Sequence, residues 1–116
     1  MFEAENIRDW RDHDVVDEEG RKIGSLESVY VDTATDQPAF AAVTVGLPTR
    51  RRITFVPLEK AVVAPAHLKV AWPRQQVKDA PSIDTDGELL ADLEREVFAH
   101  YGLDYGPGST RRLARR

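Results

Sequence analysis

Between His13 and Trp72 the apolar residues arrive in short runs, each closed by glycine, proline or a polar cluster, and none with a helical period. Runs of this kind form strands, and strands with no helix between them pack on one another rather than in α/β layers. His13-Asp14-Val15-Val16-Asp17 is the first candidate, followed by the turn Glu18-Glu19-Gly20. Arg21 to Asp32 reads as a longer strand with Val29 and Val31 on one face, and Gly24 inside it marks a bulge or bend. After a polar turn from Thr33 to Pro38, Ala39 to Leu47 carries alanine and valine with few charges, the mark of burial on much of both faces. Pro48-Thr49-Arg50-Arg51-Arg52 reads as a loop before Ile53-Thr54-Phe55-Val56, which Pro57 ends. Ala61-Val62-Val63 and His67 to Trp72 complete the set, with Leu68, Val70 and Trp72 on one face. The expected fold is mainly β: a small closed or nearly closed barrel of five to six short antiparallel strands, followed by a C-terminal α-helix.

The helix belongs to the second part of the chain. Pro73 to Asp84 reads as a connector with one helical turn at Arg74 to Lys78, and twelve extended residues would span up to ~40 Å. Thr85 and Glu88 then have capping-box spacing, and Asp86 suits a first helical turn. Leu89, Leu90, Leu93, Val97 and Tyr101 form an apolar stripe beside an acidic face of Asp92, Glu94 and Glu96, and Gly102 is placed to stop the helix. Charge divides the chain in the same way. Residues 79–104 hold eight acidic side chains against Arg95, whereas residues 105–116 hold Arg111, Arg112, Arg115 and Arg116 and no acid. The divisions read from this are a barrel at 1–78, a connector and amphipathic helix at 79–104, and a basic flexible tail at 105–116. Gly106-Pro107-Gly108 offers little to pack, so the tail is expected to add less than ~0.5 kcal/mol of stability.

The pattern Gly20-x-x-Ile23-Gly24-x-Leu26-x-x-Val29-x-Val31-Asp32, an apolar strand, and then Phe55-Val56-Pro57-Leu58 resembles the PRC-barrel domain. That domain is shared by the H subunit of photosynthetic reaction centres and the second domain of a ribosome-maturation factor. The resemblance covers roughly residues 6–78. Val77-Lys78-Asp79-Ala80-Pro81 and His100-Tyr101-Gly102-Leu103 look like the companion extension of stand-alone bacterial versions. The resemblance implies a docking module and brings no catalytic residues with it.

The chemistry of the side chains points the same way. With no cysteine, the 116 residues can form neither disulfides nor thiolate sites. His13, His67 and His100 fall in three different elements without ligand spacing, so no metal and no cofactor is expected. Ser25, Ser28, Ser82 and Ser109 lack a nucleophile elbow. Asp17, Glu18 and Glu19 read as a solvated turn, and Asp32 as an acceptor for backbone N–H groups of the turn after it. No run approaches the ~20 apolar residues of a membrane span, and the acidic start Met1-Phe2-Glu3-Ala4-Glu5 lacks a signal-peptide pattern, which points to the cytoplasm.

The candidate contacts to a partner are Arg50, Arg51 and Arg52, the aromatics Trp10 and Phe40, and the helix residues Leu93, Val97 and Tyr101. The function expected is a non-catalytic protein-interaction or scaffolding module with an unnamed protein partner, and a homodimer is one way to cover the helix stripe. The alternative is an RNA- or ribosome-associated accessory factor using Arg50–Arg52 and the Arg-rich tail, against which stands the net charge of −4.

Overall fold

The computed structural model describes residues 12–33, 35–47, 49–64, 67–103 and 113–115. Three strands form its centre: β2 (Lys22–Asp32), β3 (Gln37–Leu47) and β4 (Arg50–Pro57), an antiparallel meander. Before them, β1 (Asp14–Val16) pairs antiparallel with the start of β2. The turn between these two uses Gly20 at φ +82°, a backbone conformation that side chains resist. After β4 come β5 (Val62–Val63) and β6 (His67–Lys69), an antiparallel pair. The chain continues through α1 (Arg74–Lys78), β7 (Ser82–Asp84), α2 (Ala91–His100) and β8 (Leu113–Arg115).

Closure and direction differ from expectation. The strands form one eight-stranded sheet in the order β5-β6-β1-β2-β3-β4-β7, with β8 added alongside β2, so its ends do not meet. Nor is it all antiparallel, because β6 runs parallel to β1, with Asp14 opposite His67 and Val15 opposite Leu68. The reason is topological. The chain returns from β4 and β5 to lie beside β1 in its own direction, and β7 pairs with β4 instead of reaching back to β5. A short helix takes part in enclosing the interior instead. Helix α1 touches both β2 and β4 and buries Val77 completely. Its carbonyls are held by the sheet, Val77 by the Thr54 hydroxyl at 2.9 Å and Lys78 by the Arg52 guanidinium at 2.9 Å.

The meander is buried on both sides, as the composition of Ala39 to Leu47 implied. One face, with Leu26, Val29, Ala41, Val43 and Val56, packs with Val15, Leu68, Val70 and Val77 in an aliphatic inner core. The other face, with Tyr30, Phe40, Ala42, Ile53 and Phe55, packs under Val97, Phe98 and Tyr101 of α2 and Leu113 of β8. Gly24 sits at an irregularity between β1 and β2, and a Cβ there would lie 2.2 Å from the Thr44 carbonyl oxygen. The β2–β3 ladder also slips at Tyr30/Val31. Val29 belongs to the inner core and Val31 does not, so the two do not act as one face.

The second half of the chain is more structured than expected. The connector holds α1 and β7, and α2 starts at Ala91 rather than near Thr85, with Leu90 in extended conformation at its N-cap and no side-chain cap. Pairing of β7 with β4 and a turn closed by Gly87 N–H on the Asp84 carbonyl (2.9 Å) take up Thr85 of the expected capping box, and Glu88 follows that turn ahead of the helix. Gly102 does stop the helix. At φ +69° it donates to Ala99, while Leu103 donates to Phe98 at 2.8 Å, the paired bonds of a Schellman motif. The stripe that docks is Glu94, Val97, Phe98 and Tyr101, so Glu94 lies on the buried side and not on an acidic surface face. At the far end, Leu113–Arg115 is a strand paired with Tyr30–Asp32 and not a loose tail. The expected flexible segment around Gly106-Pro107-Gly108, with Arg111, Arg112 and Arg116, lies outside the described residues, as does Trp10.

Candidate functional site

The three arginines are not in a loop. Arg50, Arg51 and Arg52 open strand β4 and pair with Leu47, Gly46 and Val45, leaving only positions 48–49 between the strands. Beside it Gly46, paired with Arg51, takes φ +103°, and a Cβ there would approach the Arg50 carbonyl oxygen to 2.3 Å. Strand placement separates the roles of the arginines. Arg52 is half-buried and tied to the end of α1, whereas Arg50 and Arg51 are exposed.

Arg51 borders an open groove of about 680 Å³ between the β2, β3 and β4 strands and α1. Lys22 of β2 and Lys78 of α1 reach it from two other elements, and Asp12, Ser25 and Thr44 complete its polar lining. Lys22 is held by Asp14 at 3.2 Å. Asp12 takes a left-handed φ of 68° at the rim, where its N–H donates to the Leu26 carbonyl at 2.9 Å. Lys22 and Lys78 were not among the candidate site residues of the sequence, and Asp12 stood out there only as a neighbour of His13. Their convergence needs β2, α1 and the segment before β1 in place, and no local spacing reports it.

The other candidates lie inward. Phe40 is 2% exposed and stacks at a tilt against Phe98, with ring centroids 5.1 Å apart. Val97 and Tyr101 are buried in the same cluster, and Leu93 is half-buried at its margin. None of the first three offers a surface to a partner. Of the large apolar side chains of this stripe, Leu90 at the N-cap of the helix is the exposed one, at 62%.

The ionisable groups withdrawn from water have structural bonds. Asp17, expected on the surface, is 2% exposed. It accepts the N–H groups of Glu19 and Arg21 and the Arg21 guanidinium at 2.9–3.0 Å. Burial alone would push its pKa up; the bonds to Arg21 and Glu19 and the nearby guanidinium outweigh this and hold it below the ordinary 3.8. Asp32 is buried too, and its backbone carbonyl accepts Thr35 and Asp36 to close the next turn. Glu94, fully buried, accepts the Leu113 N–H at 3.1 Å and so helps seat β8. The Tyr101 hydroxyl donates to the Phe55 carbonyl at 2.5 Å, and desolvation pushes its pKa up. His100 Nε2 lies 2.7 Å from the Gln76 carbonyl, linking α2 to α1. Among the described residues no three His, Asp or Glu side chains are grouped to hold a metal ion.

The residues of the sequence resemblance are in place on this open sheet: Gly20 in the β1–β2 turn, Gly24 at a strand irregularity, and Asp32 closing the turn after β2. The PRC-barrel domain family matches residues 2–71. The chain belongs to that family. No curated protein matches it. The PRC-barrel match ends before α1, so Lys22 and Arg51 of the groove lie within it and Lys78 lies beyond. The elements that cover the outer face of the meander, α2 and β8, also lie beyond the matched stretch. No helix among the described residues is long and apolar enough to cross a membrane.

Proposed function

We propose that this PRC-barrel chain is a non-catalytic protein-interaction module, with the barrel and its C-terminal elements as one scaffold. The observation that supports this best is how the ionisable groups are used. Asp17, Glu94 and Tyr101 are bonded into turns, strand docking and helix docking. By contrast, Lys22, Arg51 and Lys78 converge on an open groove. Groups that hold a fold together are not free to shuttle protons, whereas an open polar groove suits recognition.

The RNA- or ribosome-associated reading keeps Arg50 and Arg51 as exposed cations but loses Arg52, whose guanidinium serves the end of α1. The homodimer reading rested on the helix stripe, and that stripe packs on the chain's own β2–β4 face, leaving Leu90 and part of Leu93 outside. A protein partner of different sequence is therefore the better supported assignment. The test is affinity capture on the immobilised full-length chain, with and without nuclease treatment, followed by mass spectrometry. A defined protein retained after nuclease is the expected result. Retention abolished by nuclease would transfer the assignment to RNA, and recovery of only the chain itself would transfer it to self-association.

A further inference from the structure

We infer that the groove over Lys22, Arg51 and Lys78 takes an extended acidic segment of the partner protein, an inference that rests on the interaction-module reading above. Three cations brought from three elements line one opening of about 680 Å³, a size that accommodates several residues of peptide. Arg51 is exposed, and its planar guanidinium can grip a carboxylate with two parallel hydrogen bonds. The Ser25 and Thr44 hydroxyls beside it add neutral partners for a peptide backbone.

The same lining argues against a nucleic acid. Asp12 shares the groove, and Asp14 holds Lys22 at 3.2 Å, so the positive charge is interrupted. A phosphate backbone carries a charge at every residue and would meet those carboxylates. An acidic peptide spaces its charges along flexible side chains and can lay an uncharged residue against Asp12. With a net charge of −4 the chain as a whole exerts no general pull on an acidic segment, so the attraction must come from local cations.

The experiment is fluorescence anisotropy of a labelled peptide of alternating glutamate and serine titrated with the whole chain at low ionic strength. Three double variants are compared with the parent: Arg51→Glu with Lys78→Glu, Arg51→Gln with Lys78→Gln, and Lys60→Glu with Arg95→Glu as a charge-matched control. Lys60 and Arg95 are exposed and do not line the groove. The parent is expected to bind, and the bond to weaken with added salt. Charge reversal in the groove should weaken it by at least about tenfold, and neutralisation should weaken it less. The control should stay within about twofold.

Thermal melts show which variants fold, and the glutamine pair decides the matter if the glutamate pair does not. Absence of binding to the parent, equal loss in the control, or tighter binding of a labelled single-stranded RNA at the same residues would each overturn the inference. The charge-reversed chain is also put through the nuclease-treated capture. A protein partner that it still retains would sink the groove's role and leave the interaction module standing.

Discussion

The two faces of the β2–β3–β4 meander are buried by different chemistry. The inner face is aliphatic: Leu26, Val29, Val43 and Val56 meet Val15, Leu68 and Val70, side chains that pack without direction. The outer face is aromatic and directional. Tyr30 meets Phe55 edge-on at 5.4 Å, Phe40 packs against Phe98, and Trp72 meets Tyr101 at 4.8 Å. One hydrogen bond ties the helix to the meander, from Tyr101 to Phe55, and another ties the two covering elements to each other, from Leu113 to Glu94. Strands covering a face supply many equivalent apolar positions, and a ten-residue helix supplies few. The helix compensates with large rings and polar anchors, which fix its register on the sheet.

If the two faces are equal parts of one cooperative core, truncating either should destabilise the whole. Leu26→Ala and Phe98→Ala are each expected to lower the unfolding free energy by about 3–5 kcal/mol in urea melts. A loss below about 1 kcal/mol for Phe98→Ala, with full loss for Leu26→Ala, would reduce the outer cluster to an ornament on an independent barrel.

The next effect isolates the last strand. A chain ending at Tyr105 should lose about 2–4 kcal/mol, since Leu113 leaves the outer cluster and Glu94 loses that N–H partner in a buried site. Glu94→Gln keeps an acceptor and should cost less than the truncation. Equal stability of truncated and full-length chains would show that β8 does not anchor the outer face.

The smallest effect lies in the β1–β2 turn of the inner layer. Because the folded-state pKa of Asp17 lies below its ordinary 3.8, its stabilisation is complete above that pH and is lost as acid takes the pH through the folded value. Asp17→Asn should remove this part of the acid slope, with a loss at neutral pH of about 1 kcal/mol or less. Urea midpoints measured against pH check it, and an unchanged acid slope would mean that the turn contributes nothing of the kind.

Much of this molecule can be read locally. Gly24 at an irregular strand pairing, burial of Phe40–Val45 on both faces, the single helical turn at Arg74–Lys78 and the helix stop at Gly102 all depend on residues within a few positions of one another. Backbone geometry and apolar period determine such features, so the sequence by itself carries them. The open sheet, the parallel pairing of β1 with β6, the inward turn of Glu94 and the strand at Leu113–Arg115 do not follow from any window of the chain. The last three are each decided by a partner far away in sequence: His67 for Asp14, Leu113 for Glu94, Asp32 for Leu113. The groove is of this second kind. Arg51 stands out within Arg50-Arg51-Arg52, but its association with Lys22 and Lys78 arises only when β2, β4 and α1 are folded together, because charge convergence is a property of space and not of spacing along the chain.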